Sequence, residues 1–119
     1  MLLIFIALLP LLHACSPNVR PEELTNEKAQ QMIESEDVTV LDVRTEEEHA
    51  QGHLQDSILI PMSDLESRLE ELDKDQAYLI VSQTGSQSSQ AADLMKNNGF
   101  TEVYNLQSGI SGWSYPLEK

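Results

Sequence analysis

The chain has 119 residues, 40% of them hydrophobic, and a formal net charge of −13. That length accommodates one small domain. So large an acidic excess repels nucleic acid and other polyanions, which bind through clusters of Lys and Arg, and its commonest role is solubility.

Met1 to Ala14 carries no charged side chain, and Leu2 to Leu12 is apolar apart from Pro10. The run is too short to cross a bilayer, which takes about 20 apolar residues. It reads as a cleaved export signal over residues 1–14. The junction Leu12-His13-Ala14-Cys15-Ser16 resembles the bacterial lipoprotein signal, which makes Cys15 the lipid attachment point. An ordinary signal peptide would instead leave Cys15 as one odd reactive thiol in an oxidising compartment. Lipidation there implies a cell-envelope protein on the non-cytoplasmic side of a bacterial membrane, held by at least two acyl chains.

Residues 15–23, with Pro17 and Pro21, read as the lipidated cysteine and a tether, and 24–119 as the domain. Thr25 is placed to cap a helix whose apolar positions are Ala29, Met32 and Ile33. Val38 to Val43 is rich in β-branched residues and reads as a strand. Thr45-Glu46-Glu47-Glu48 is a capping box, and Ser63-Asp64-Leu65-Glu66 repeats the pattern before Leu65, Leu69 and Leu72 fall on one helical face. Between them lies a short strand from Ser57 to Ile60. Ala77 to Val81 is apolar without alternation, as in a strand covered on both faces of a parallel sheet. A polar loop from Ser82 to Ser86 leads into a helix with Ala91, Leu94 and Met95 inward and Asn98-Gly99 as its stop. Val103 to Leu106 reads as a last strand, and Gly109 to Trp113 as a terminal turn. Alternation of this kind predicts an α/β sheet with helices on both sides.

Certain words carry more than periodicity. Leu41-Asp42-Val43-Arg44-Thr45, Glu48, Gly52-His53-Leu54, Ile60-Pro61, Gly99-Phe100, Val103-Tyr104-Asn105-Leu106 and Gly109-Ile110-Ser111-Gly112-Trp113 stand in an order and spacing that resemble a rhodanese-like domain over Thr25 to Trp113. The resemblance implies a five-stranded, mainly parallel sheet flanked by helices, with the site in the loop after Ala77 to Val81. It implies structural roles for Asp42, Arg44, Gly52 and His53, and an internal ion pair reaching Glu48. Gln55-Asp56-Ser57 replaces the family's Pro-Gly-Ala turn.

In that loop the family writes Cys-Arg-x-Gly-x-Arg-Ser, or close to it. This chain writes Ser82-Gln83-Thr84-Gly85-Ser86-Gln87-Ser88. A family cysteine takes sulfane sulfur as a persulfide, its thiolate stabilised by loop amides and a helix N-terminus. A serine hydroxyl is a far weaker acid than a thiol of pKa about 8.5 and cannot carry sulfur. Two glutamines in place of arginines remove the charged forks that hold an oxyanion, at about 1.5–3 kcal/mol for each charged hydrogen bond. The phosphatase variant of the fold, which needs the same Cys and Arg, is disfavoured too. No catalytic residue is therefore expected, and no cofactor. The expected role is binding an unidentified protein or small ligand.

The enzymatic alternatives are residual activity of the sulfurtransferase family or Ser82 as a hydrolase nucleophile, with His49 or His53 as base. The Gly-x-Ser-x-Gly elbow is absent. His49 and His53, four apart, suggest a metal pair, but Gly52 should end their helix and no third ligand has a place, so no metal is expected. Phe100 and Trp113 read as core.

Overall fold

The computed structural model describes residues 22–119; the expected signal, Cys15 and most of the expected tether lie outside the described residues. Five strands form one sheet, β1 (Glu22–Leu24), β2 (Thr39–Asp42), β3 (Ile58–Leu59), β4 (Tyr78–Val81) and β5 (Val103–Leu106). Their spatial order is β1-β5-β4-β2-β3, and every neighbouring pair is parallel. Four α-helices connect them: α1 (Asn26–Glu34), α2 (Glu46–Gln51), α3 (Met62–Arg68) and α4 (Ser86–Asn97).

The strand β4 lies inside the sheet and is buried at every residue, so its unbroken apolar run serves two cores at once. Tyr78 and Ile80 join Leu41, Leu65, Ala91, Met95 and Phe100 on the face covered by α3 and α4. Leu79 and Val81 point the other way, to Val40, Ala29, Leu54 and Leu106 under α1. Each such Leu or Ile side chain removed from water contributes roughly 1.5–3 kcal/mol. Phe100 is core as expected, edge-on to Tyr78 at 5.8 Å between centroids. Trp113 is only half-buried against the second core, and its indole N–H has no partner among the described residues.

Local signals worked where the partner was local. The Thr25 hydroxyl accepts from the Lys28 amide, and at α2 the Thr45 and Glu48 side chains satisfy each other's backbone amides. Gly52 ends α2 as expected.

Four expectations need correction. Glu22 and Glu23, assigned to the tether, pair with Tyr104 and Asn105 as part of an edge strand. The second capping box does not form. The α3 helix starts earlier, with Pro61 at the N-cap and no side-chain cap, because the Met62 amide is taken by the Val43 carbonyl at 2.9 Å. The helix also stops at Arg68, and Leu69 continues in a 3-10 turn that still buries Leu69 and Leu72. Finally, α4 begins at Ser86, inside the stretch read as loop.

Candidate functional site

In an open parallel sheet, a crevice opens where adjacent strands send their connections to opposite faces. Strands β2 and β4 are such a pair. The connection from β2 runs through α2 to Leu54 on one core, and that from β4 runs through α4 to Ala91 and Met95 on the other. Two segments meet at their carboxyl ends: Asp42 to Arg44, and Ser82 to Ser88, which is the loop and the first turn of α4.

Ser82 heads the loop and is 1% exposed. Its Oγ accepts from the Gly85 amide at 3.0 Å and the Ser88 amide at 3.1 Å, and lies 2.9 Å from Ser88 Oγ. Ser88 Oγ also faces two groups that can only accept, the Gly85 carbonyl at 3.1 Å and Asn105 Oδ1. The Ser88 proton therefore goes to one of those, and the Ser82 proton goes to Ser88. Both lone pairs and the proton of Ser82 are committed. This relay ends on a neutral carboxamide and a backbone carbonyl, neither of which can take up a proton as a base near neutral pH. Asn105 is held in turn by its Nδ2, which donates to Glu23 Oε2 at 2.8 Å and to the Gly85 carbonyl at 3.1 Å.

The loop's shape depends on two glycines. Gly85 sits at φ 93°, and a Cβ there would meet the Gln107 carbonyl oxygen at 2.6 Å. Gly109, at φ 64°, lies against the Gln83 carbonyl, where a Cβ would approach to 2.4 Å. Both need left-handed backbone that other residues rarely adopt. Their close approach lets the Ile110 and Ser111 amides bind the Ser82 and Gln83 carbonyls at 2.8 and 3.0 Å. Gln83, Thr84, Ser86 and Gln87 remain exposed on the outer surface.

Arg44 is buried, and it does not reach Glu48 as the family resemblance implied. Its guanidinium pairs with Asp42 at 2.8 Å, donates to the Gly52 carbonyl at 2.7 Å and touches Gln83 Oε1 at 3.4 Å. Glu48 is occupied in the α2 cap. The reason is position: Arg44 precedes the helix and points inward along β2, whereas Glu48 faces back to Thr45. Arg44 thus ties β2, the end of α2 and the loop together, and its charge is spent on Asp42.

Neither histidine bonds to Ser82. The two rings stack at 4.0 Å with 7° between their planes. His49 Nε2 is 3.0 Å from Ser57 Oγ, while His53 Nδ1 meets the His49 carbonyl at 2.9 Å and its Nε2 lies 3.8 Å from Glu118. Burial, and then the neighbouring His53 ring, hold the His49 pKa below its usual value. Among the described residues no three His, Cys, Asp or Glu side chains converge as a metal-binding group. No helix of the described residues is long and apolar enough to cross a membrane.

A family model, the rhodanese-like domain, matches residues 25–115. The chain belongs to the rhodanese-like family. It is 35% identical over 86 residues to a sulfurtransferase of Allochromatium vinosum, covering 72% of this chain and 80% of that one. The YrkF protein of Bacillus subtilis is 33% identical, over 81% of this chain but only 52% of its own length. A rhodanese-like domain protein of Staphylococcus aureus superposes with a TM-score of 0.75 at 30% identity, covering 82% of this chain and 96% of that structure.

Against that family background two features of this rhodanese-like domain escaped the sequence reading. Ser88 and Asn105 stand within the family's motifs with no role evident from sequence, yet in the fold they complete the Ser82 network. A polar Asn in an otherwise apolar strand was the signal available. The C-terminal segment was also missed: Glu118 forms an antiparallel bridge with His53, and Leu117 packs against Gly52.

Proposed function

We propose that this rhodanese-like domain does not transfer sulfur and serves as a binding module at the bacterial cell envelope, held there by lipid on Cys15. The observation that carries the reading is the Ser82 hydroxyl, fully engaged by two amides and Ser88 at the position of the family's cysteine. Residues 22–119 hold no cysteine, because the single one in the chain is Cys15. Supporting this, no charged residue lies between Asp75 and Asp93, so the loop offers an oxyanion no cation of its own. The exposed Gln83, Thr84, Ser86 and Gln87 present amides and hydroxyls suited to an uncharged or polypeptide partner.

Purified protein incubated with thiosulfate and cyanide should form no thiocyanate, and intact-mass spectra should show no persulfide; turnover above the uncatalysed rate would reject the reading. Ser82→Cys combined with Gln83→Arg and Gln87→Arg should bring measurable transfer back, since it restores thiolate and oxyanion clamps to the same loop. For the anchor, Cys15→Ser should move the protein from the membrane fraction to the soluble fraction of cells.

A further inference from the structure

A second concavity lies at the opposite end of the sheet from the Ser82 to Ser88 loop, where β2, β3 and β4 begin. It is a cleft of about 430 Å³ beneath the end of α1. Its lining is mixed: Val40, buried, and Ile33 and Val38, half-buried, form an apolar floor, the neutral Thr39, Gln55 and Gln76 also face it, and the exposed Glu34, Glu36 and Asp56 stand at its rim. Among the described residues none of these three carboxylates takes part in a salt bridge, and Glu34 Oε1 accepts one neutral hydrogen bond, from Gln30 Nε2 at 3.0 Å. An apolar floor with an unneutralised acidic rim matches a side chain with an aliphatic stem and a cationic head, as in arginine or lysine.

Its surroundings favour a polypeptide as the carrier of that side chain. Asp56 lies two residues before β3, the last strand in the sheet order, whose outer edge pairs with no other described strand. The strand is short, Ile58–Leu59, and Ile58 is 40% exposed, paired with Leu41 on the face opposite Val40. An open strand edge is a template for an extended segment, with backbone hydrogen bonds supplying affinity and neighbouring pockets supplying selectivity.

We infer that this cleft binds a basic side chain presented by an extended segment of a partner protein, its stem on Ile33, Val38 and Val40 and its head among Glu34, Glu36 and Asp56. The site is separate from the family's loop and does not depend on whether that loop is active.

The test titrates the purified full chain, isotope-labelled and in detergent, with acetyl-Val-Thr-Arg-Thr-Val-amide and with the same peptide carrying neutral citrulline for arginine. The arginine peptide should shift the amide signals of residues 33–40 and 55–58, and the citrulline peptide should bind about tenfold more weakly. Glu36→Gln with Asp56→Asn keeps side-chain size, and should weaken the arginine peptide by about tenfold. Glu66→Gln with Glu70→Gln removes the same charge from exposed positions elsewhere and should change affinity by less than about twofold. Equal losses in the two double variants would mean diffuse attraction to an acidic protein, and shifts confined to other residues would place the peptide elsewhere. Either result overturns the site. Acetylarginine methylamide binding as tightly as the peptide would overturn the polypeptide partner.

Discussion

Ser82 is held as a structural hydroxyl. Replacing it with Ala leaves the Gly85 and Ser88 amides without their acceptor in a buried setting, and a buried unsatisfied donor costs about 1–3 kcal/mol. Ser82→Ala should therefore lower unfolding free energy by about that amount in urea titration, with little change in the slope of the transition. A loss much below that range would mean that water replaces the hydroxyl. His49 makes a prediction in pH. Its pKa in the fold lies below the ordinary 6.5, chiefly through burial and secondarily through the stacked His53, with Asp42 opposing and Arg44 adding to the effect. On acidification the unfolded chain takes up this proton first, so the contribution of His49 is complete above 6.5 and declines as pH falls toward the folded pKa. Stability of the parent relative to His49→Gln should accordingly decrease between about pH 7.5 and pH 5.5. A constant difference across that range would exclude the linkage.

At the scale of elements, the loop and the segment after β5 are one unit, joined where Gly109 meets the Gln83 carbonyl. Gly109→Ala asks for left-handed backbone and for a Cβ inside the contact distance of main-chain atoms that cannot swing aside. The two segments must part, with loss of the Ile110 and Ser111 hydrogen bonds, at a cost on the order of 2–4 kcal/mol. Hydrogen exchange should show the Ile110 and Ser111 amides losing protection well before those of β4. Which elements could be read from the sequence follows the range of the forces that set them. The Thr45 cap depends on a residue three positions on, so it was visible. The Ser63 motif has the same spacing, yet the Val43 carbonyl, fixed by the sheet, claims the Met62 amide and starts the helix earlier. Glu22 and Glu23 carry no strand signal, since an edge strand tolerates charge and their partners Tyr104 and Asn105 lie far along the chain.

For the whole molecule, the α/β class and the two-sided sheet were legible because β4 is apolar at every residue and the flanking helices repeat at helical spacing. The position of the site was legible only through the family's words. The network that fills it was not, because Ser82 meets Ser88 across a turn and Asn105 from another strand, and periodicity has no access to such contacts. Family resemblance misled at one point, the ion pair with Glu48, where the helix cap kept the carboxylate and Asp42 kept the guanidinium.

The buried Arg44 has a consequence for how solutes arrive. With its charge cancelled at short range by Asp42, the exposed Gln83, Thr84, Ser86 and Gln87 form an uncharged window on a chain of net charge −13. Small anions approaching that window cross a repulsive field that fades beyond about 10 Å at 0.1 M salt, so dilute buffer slows their encounters while cations are drawn in. Discrimination by charge thus begins before contact, in the kinetics of diffusion toward the protein.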